Sequence, residues 1–477
     1  MGTRTFTTIR NNLIKPAKCD FIPKKYQGPV LSELEQMRKS YLSPALTTYY
    51  SKPLAIHQGF KQWLFDLQGN RYLDMFGGIC TISVGHCHPR ITEAVKEQMG
   101  TLGHCSNVYV HAKIHEYAEK LAGTLPHELK VIYLVNSGSE ANDLAILLAR
   151  CHTGNHEIIS LKNCYHGMTY QTMAVTCNSH YKYPVLPNPG FSKTMNPDVY
   201  RGIWGGNKCR DSPVQTERSC SCSFGDCQAG NQYIDQFNED LKFEFSKSGI
   251  AAFFAESIQG VGGAVQFPKN YLKGVYNLVK LAGGVFVSDE VQTGFGRTGE
   301  HFWGFESHDI QPDIVTMAKG IGNGFPLAAV ATTKEIAESL TRAGHFNTFG
   351  GNPVSSTVGI TVLEIIEEEK LQQNAKEVGT HLLLGLEKLR NENAFVGDVR
   401  GKGLMIGVEL VEDKCSKQPL KAQKFMQVWE SCLRQALIMG KGGLYGNVLR
   451  IKPPMCITKE DADFTVDVLG EALKTIS

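Results

Sequence analysis

Val131-Ile132-Tyr133-Leu134-Val135-Asn136-Ser137-Gly138-Ser139-Glu140-Ala141 is the stretch on which the fold of this chain turns. Five apolar residues in an unbroken run suit a strand covered on both faces, because a half-wet strand would alternate. A turn of small polar residues follows at once, and residues 140–150 continue with helical spacing. The same order returns downstream. Residues 250–254, 284–288 and 314–316 are further short apolar runs, each near a helical segment. The alternation predicts an α/β fold, with a mostly parallel sheet and helices on both faces.

Around that centre the style of the sequence changes. Residues 1–40 read as a basic N-terminal segment and 41–90 as an arm, in which strands at 62–66 and 71–74 join through Gln68-Gly69-Asn70. Residues 91–358 read as one large domain. From 359 to 477 long helices (362–369, 379–390) precede a strand at 404–410, the pattern of a smaller α+β domain. Residues 186–232 break the rhythm, being rich in Pro, Gly, Ser and Cys. So long a loop in a compact domain is expected to be functional or mobile.

Bulk properties exclude several classes. The chain has 477 residues, 42% hydrophobic and 20% charged, with a net charge of +2. That balance makes no case for nucleic acid or an anionic membrane surface. No apolar run reaches the roughly 18 residues that span a bilayer. The 14 cysteines contain no CxxC pair, which favours reduced thiols. The first 19 residues lack acids but carry Arg4, Arg10, Lys15 and Lys18, and Phe6, Ile9 and Leu13 would share a helical face. This is the composition of a mitochondrial transit peptide, which would place the protein in the matrix, or of a plain basic tail.

Three short motifs carry the chemistry. Ser137, Gly138 and Ser139 lie where a strand gives way to a helix, a place that holds phosphate or merely caps the helix. Asp289 ends the run Val285-Phe286-Val287-Ser288, where α/β proteins bind ligands. Lys319 follows a third apolar run between Ala318 and Gly320, whose small size leaves room at the amine. Pyridoxal phosphate (PLP) needs all three: a helix N-terminus for its phosphate, a carboxylate for its ring nitrogen and a lysine for its aldehyde. Tyr165, in Tyr165-His166-Gly167, could stack on the ring or simply pack.

With these residues in order, the chain resembles the class-III aminotransferases, a branch of the fold-type-I PLP enzymes. Asp289 to Gly299 is close to that family's signature. The resemblance implies that Gly138 and Ser139 hold phosphate, Tyr165 stacks on the ring, Asp289 pairs with the pyridinium and Gln292 contacts its phenolic side. It implies that Lys319 forms the Schiff base and that Thr348 reaches the phosphate of a partner subunit, so that the enzyme is a homodimer or tetramer. Arg450, in Leu449-Arg450-Ile451-Lys452-Pro453, matches the arginine that grips a substrate carboxylate.

Departures sharpen the expectation. Glu256-Ser257-Ile258-Gln259 has serine where the family has proline. The glutamate that ω-aminotransferases use to neutralise the arginine is replaced here by Val261. Arg450 should then stay available to small α-amino acids. The segments at 201–206, 209–216 and 220–222 resemble a branch that exchanges small amino and keto acids, alanine and glyoxylate favoured, in two ping-pong halves. A phospho-lyase or an ω-aminotransferase of the same family is the alternative. A nucleotide-binding oxidoreductase lacks its G-x-G-x-x-G, and a non-catalytic scaffold would not need Lys319 and Asp289. No metal is expected: Cys209, Cys220, Cys222 and Cys227 follow no standard zinc spacing and suggest a redox or structural role. His111 and His115 lack a third ligand.

Overall fold

A computed structural model describes residues 14, 16–185, 189–223, 227–245 and 249–476. Phe6, Ile9 and Leu13, which carry the amphipathic N-terminal reading, lie outside the described residues.

Three sheets organise the described chain. In the arm, β1 (Ile56–Phe60), β2 (Trp63–Asp66) and β3 (Arg71–Asp74) form an antiparallel meander, with Gly69 supplying the left-handed turn (φ 81°). The central sheet comprises β4 (Val131–Val135), β5 (Glu157–Leu161), β6 (Phe191–Thr194), β7 (Ile250–Glu256), β8 (Val285–Asp289), β9 (Ile314–Met317) and β10 (Ala328–Thr332), in the order β4-β10-β9-β8-β7-β5-β6. Only β10 runs antiparallel to its neighbours. Every residue of β7, β8, β9 and β10 is buried, as strands covered by helices on both faces must be. β4 is an edge strand and only its last two residues are buried, so it is less covered than its apolar run predicts.

The C-terminal sheet has β11 (Val396–Lys402) and β12 (Met405–Asp413), with β13 (Gln418–Pro419) attached to β12. β14 (Leu437–Ile438) leaves to pair with β3 of the arm, while β15 (Gly440–Gly442) and β16 (Val448–Ile451) complete the sheet. The helix predicted at 362–369 is the end of a longer one, Pro353–Glu368. Its start escapes a hydrophobic count because it is set by a cap: Asn352 Oδ1 accepts from Ser355 N at 3.0 Å, with proline at the first helical position. Within 186–232 the structure finds β6, and the helix Gln228–Phe243 begins before that stretch ends. Between them, 195–223 is irregular yet anchored. Cys209, Arg210, Val214 and Cys222 are buried, and Arg210 makes paired bonds of 3.0 and 2.6 Å to Asp398 of β11.

Candidate active site

The carboxyl ends of β4, β5, β7, β8 and β9 converge on one cavity, lined by Ser137, Gly138, Ser139, Tyr165, Asp289, Gln292 and Lys319 together with Asn142, His166 and Glu256. This is where parallel strands leave a crevice for ligands. Register aligns the charges: Glu256 of β7 sits beside Asp289 of β8, which sits beside Thr316 of β9.

The helix Gly138–Thr153 starts at the end of β4. Ser137 caps it by accepting from Glu140 N at 3.2 Å, and the helix points its positive end at the cavity. Gly138 keeps the backbone close to β8 and β9, since a Cβ there would lie 3.2 Å from the Val291 methyls. Ser139 Oγ accepts from Met168 N at 3.1 Å, and Gly167 (φ 136°) leaves room for that hydroxyl. Backbone N–H groups and two serine hydroxyls thus form an anion cradle.

Asp289 is buried and tightly held. Its Oδ2 accepts from His166 Nδ1 at 2.7 Å and Asn142 Nδ2 at 2.9 Å, and its Oδ1 from Val291 N at 3.1 Å. Asn142 is itself oriented by Thr316 Oγ1, which donates to its Oδ1 at 2.7 Å. Burial works against a charged His166, but Cys164 and Asp289 beside it hold the imidazole protonated well above its usual range. Glu256 is buried too, and burial raises its carboxyl. It accepts from Gly260 N at 2.6 Å and Tyr165 N at 3.2 Å, fixing the loop that carries Tyr165. Burial pushes the Tyr165 phenol up to about 12, so the ring stays neutral.

Lys319 stands at the start of a 3₁₀ turn with φ 55°, a left-handed conformation uncommon outside glycine. Protein encloses its amine except toward the cavity, and burial lowers its pKa. No described group hydrogen-bonds Lys319 Nζ.

Arg450 is the buried guanidinium on β16. Its Nε donates to Lys441 O at 2.9 Å, its Cζ lies 5.1 Å above the Phe76 ring, and its Nη1 has no described partner. Glycine makes its berth, because a Cβ at Gly442 would fall 2.8 Å from Arg450 Nε and from Val261 O. No described acid pairs with it. Thr348 does not line its own chain's cavity and is exposed. Asn347 beside it is tied to the cradle, its Oδ1 accepting from Asn136 Nδ2 at 3.0 Å.

Four groups were missed by sequence reasoning: Asn142, His166, Glu256 as a cavity wall, and Lys452. Lys452 is buried, its Nζ donates to Gln292 Oε1 at 2.8 Å, and burial with Arg450 nearby drives its pKa well below the ordinary lysine value. Strand periodicity offered a signal, since residues two apart in a strand share a face. Ser257 finds its reason here as well. Its hydroxyl donates to the buried Glu290 at 2.5 Å, a bond proline could not make.

These residues fit PLP. The cradle suits a phosphate, Asp289 a protonated ring nitrogen, Tyr165 a ring face, and Lys319 an aldehyde. Gln292, with its oxygen engaged by Lys452, has its amide N–H left for a phenolic oxygen.

Comparison with known proteins agrees. The model of the family "Aminotransferase class-III" matches residues 47–473. The chain is 55% identical over 477 residues (99% of this chain, 93% of the relative) to "Alanine--glyoxylate aminotransferase 2, mitochondrial" of Homo sapiens. An aminotransferase of Bacillus anthracis superimposes with a TM-score of 0.83 at 33% identity, covering 93% of this chain and 98% of that one. A phospholyase from Arthrobacter, solved with phosphoethanolamine, superimposes equally well (TM-score 0.83, 31% identity, covering 93% and 100%).

Proposed function

This chain belongs to the class-III aminotransferase family, and we propose that it moves the amino group of a small α-amino acid, alanine favoured, to a small α-keto acid, glyoxylate favoured. Transamination and PLP dependence come with the family. The substrate choice rests on one observation: Arg450 is buried with an unpaired Nη1 and has no acid beside it. An unneutralised guanidinium seeks a carboxylate, and a two-bond grip orients the atom next to that carboxylate. The name of the human relative points the same way.

The residues divide the work. Bound PLP supplies an electron sink for the carbon that loses its proton. Lys319, whose ammonium form burial disfavours, carries that proton from the substrate Cα and returns one as general base and acid. Asp289, fixed by Asn142 and His166, keeps a proton on the ring nitrogen. Ser137, Gly138 and Ser139 hold the phosphate, Tyr165 covers the ring and Gln292 donates to its phenolic side. Two substrates use one site in turn, so the kinetics are ping-pong.

The proposal extends to a homodimer with shared sites. Thr348 is exposed and does not line its own chain's cavity, and it lies in sequence between Phe346 and Phe349, which are 59% and 61% exposed. Phe349 lies 5.9 Å from the ring of His104, which precedes the exposed Val108, Tyr109 and Val110 in the sequence. An apolar surface at this site suits a partner whose phosphate Thr348 would reach. It also includes the division into arm, large and C-terminal domains, and a mitochondrial location, which the human relative's name supports.

The test is a ratio. Wild type should show a higher kcat/KM for alanine–glyoxylate than for ornithine–glyoxylate, and no phosphate release from phosphoethanolamine. Arg450→Ala should weaken transition-state binding of alanine by about 2–5 kcal/mol. Val261→Glu should shift the ratio toward ornithine by giving Arg450 an acid. A wild type that already prefers ornithine, or that releases phosphate, would leave only the family-level activity standing.

A further inference from the structure

The insertion gathers cysteines that the catalytic machinery does not use. Cys209, Cys222 and Cys227 are buried, and their sulfurs all lie within 4.8 Å of one another. Cys209 Sγ and Cys222 Sγ are 3.8 Å apart. The partly buried Cys220, its thiol 3.5 Å from Asn207 Oδ1, packs against this cluster. This spacing is informative. A disulfide brings sulfurs to about 2.05 Å. Thiolates at about 2.3 Å around a tetrahedral zinc ion stand about 3.8 Å apart.

We infer that Cys209, Cys220, Cys222 and Cys227 form a closed structural zinc site that fastens the insertion to the helix Gln228–Phe243. Several observations support it. Cys227 occupies the position before that helix, whose positive end suits a thiolate ligand. Lys208, whose Nζ donates to Cys222 O at 3.2 Å, brings a positive charge to a site with excess negative charge. The surrounding apolar cluster is small, with Val199 and Ala229 the only buried non-cysteine members among the described residues, so the irregular segment has little core of its own. A metal is the usual remedy for such a piece. Four sulfur ligands with no open position suit a structural closed-shell ion rather than a catalytic one. Cys209 is followed by Arg210, which clamps Asp398, so the metal would also brace the contact with the C-terminal sheet.

The experiment is metal analysis of the PLP-loaded enzyme from zinc-replete cells. A single zinc per chain is expected, with Cys209, Cys220, Cys222 and Cys227 protected from alkylation until a chelator removes it. Cobalt exchange should give the red-visible bands of tetrahedral thiolate-bound Co(II), outside the cofactor's absorption. Cys222→Ser should lose the metal, whereas Cys415→Ser, at an exposed thiol, should keep it. If Cys222→Ser does not fold, wild-type stoichiometry and protection decide alone. Substoichiometric zinc with freely alkylated thiols, or a Cys209–Cys222 disulfide in the peptide map, would overturn the inference. So would zinc retained undiminished in Cys222→Ser.

Discussion

The cavity at the strand ends and the irregular insertion both bury charge, and they treat it in opposite ways. Where the insertion meets the C-terminal sheet, the buried carboxylates Asp398 and Glu409 meet guanidinium groups. Asp398 takes Arg210 and Arg400 (3.0 Å), Arg400 also takes Glu409 (2.7 Å), and Arg201 closes on Glu409 from outside. In the cavity Lys319 has no hydrogen-bond partner among the described residues and Arg450 keeps Nη1 unpaired. Leaving a buried charge unpaired costs several kcal/mol, so it persists where a ligand will complete it. Buried charge that is paired is architecture. Buried charge that is unpaired is reserved for substrate or cofactor.

The comparison is tested first at Lys319. Lys319→Ala should cut steady turnover by about 10²–10⁴-fold, because the internal proton carrier is gone, while thermal stability holds. Borohydride reduction of the wild type followed by peptide mapping should place the pyridoxyl label on Lys319, and a label elsewhere would remove it from its role. Activity should also fall on the acid side, as protonation removes the base. Lys319 titrates below the ordinary lysine value, so the loss sets in at lower pH than for a surface amine.

The opposite signature belongs to Asp398. Asp398→Ala should cost about 3–5 kcal/mol of stability in urea unfolding, since Arg210 and Arg400 lose a buried partner. Turnover per folded molecule should stay near wild type. Burial opposes ionisation here, but the two arginines hold the carboxyl below its ordinary range. The stabilisation is therefore complete above the unfolded pKa of about 3.9 and drains away only as pH falls through the lower folded value. A wild-type advantage that disappeared at neutral pH would contradict the pairing.

Asp289 stands between the two regions, buried and bonded yet facing the cavity. Asp289→Asn should raise the barrier by about 3 kcal/mol with a modest loss of stability, read from kcat and from the cofactor's absorbance. Near-normal turnover would make the acid architectural. The smallest effect is expected at Ser257. Ser257→Ala removes one of several donors to Glu290 and should cost about 1 kcal/mol of stability, with kcat unchanged.

The sequence by itself determined the strand–turn–helix alternation, because apolar period and turn chemistry are local. It also placed Ser137 to Ser139, Asp289 and Lys319 at strand ends, since each follows an apolar run directly. The bonds that give those residues their character are not local. Asp289 meets Asn142 across 147 positions and His166 across 123, so its partners appear only once β5 and β8 share a sheet with the helix after β4. Lys452 gives no isolated signal until Gln292 lies against it. The cysteines show the limit most clearly. Their spacing follows no standard metal pattern, because an irregular backbone brings them together rather than a repeating turn, and only the folded insertion sets three buried sulfurs within reach of one ion.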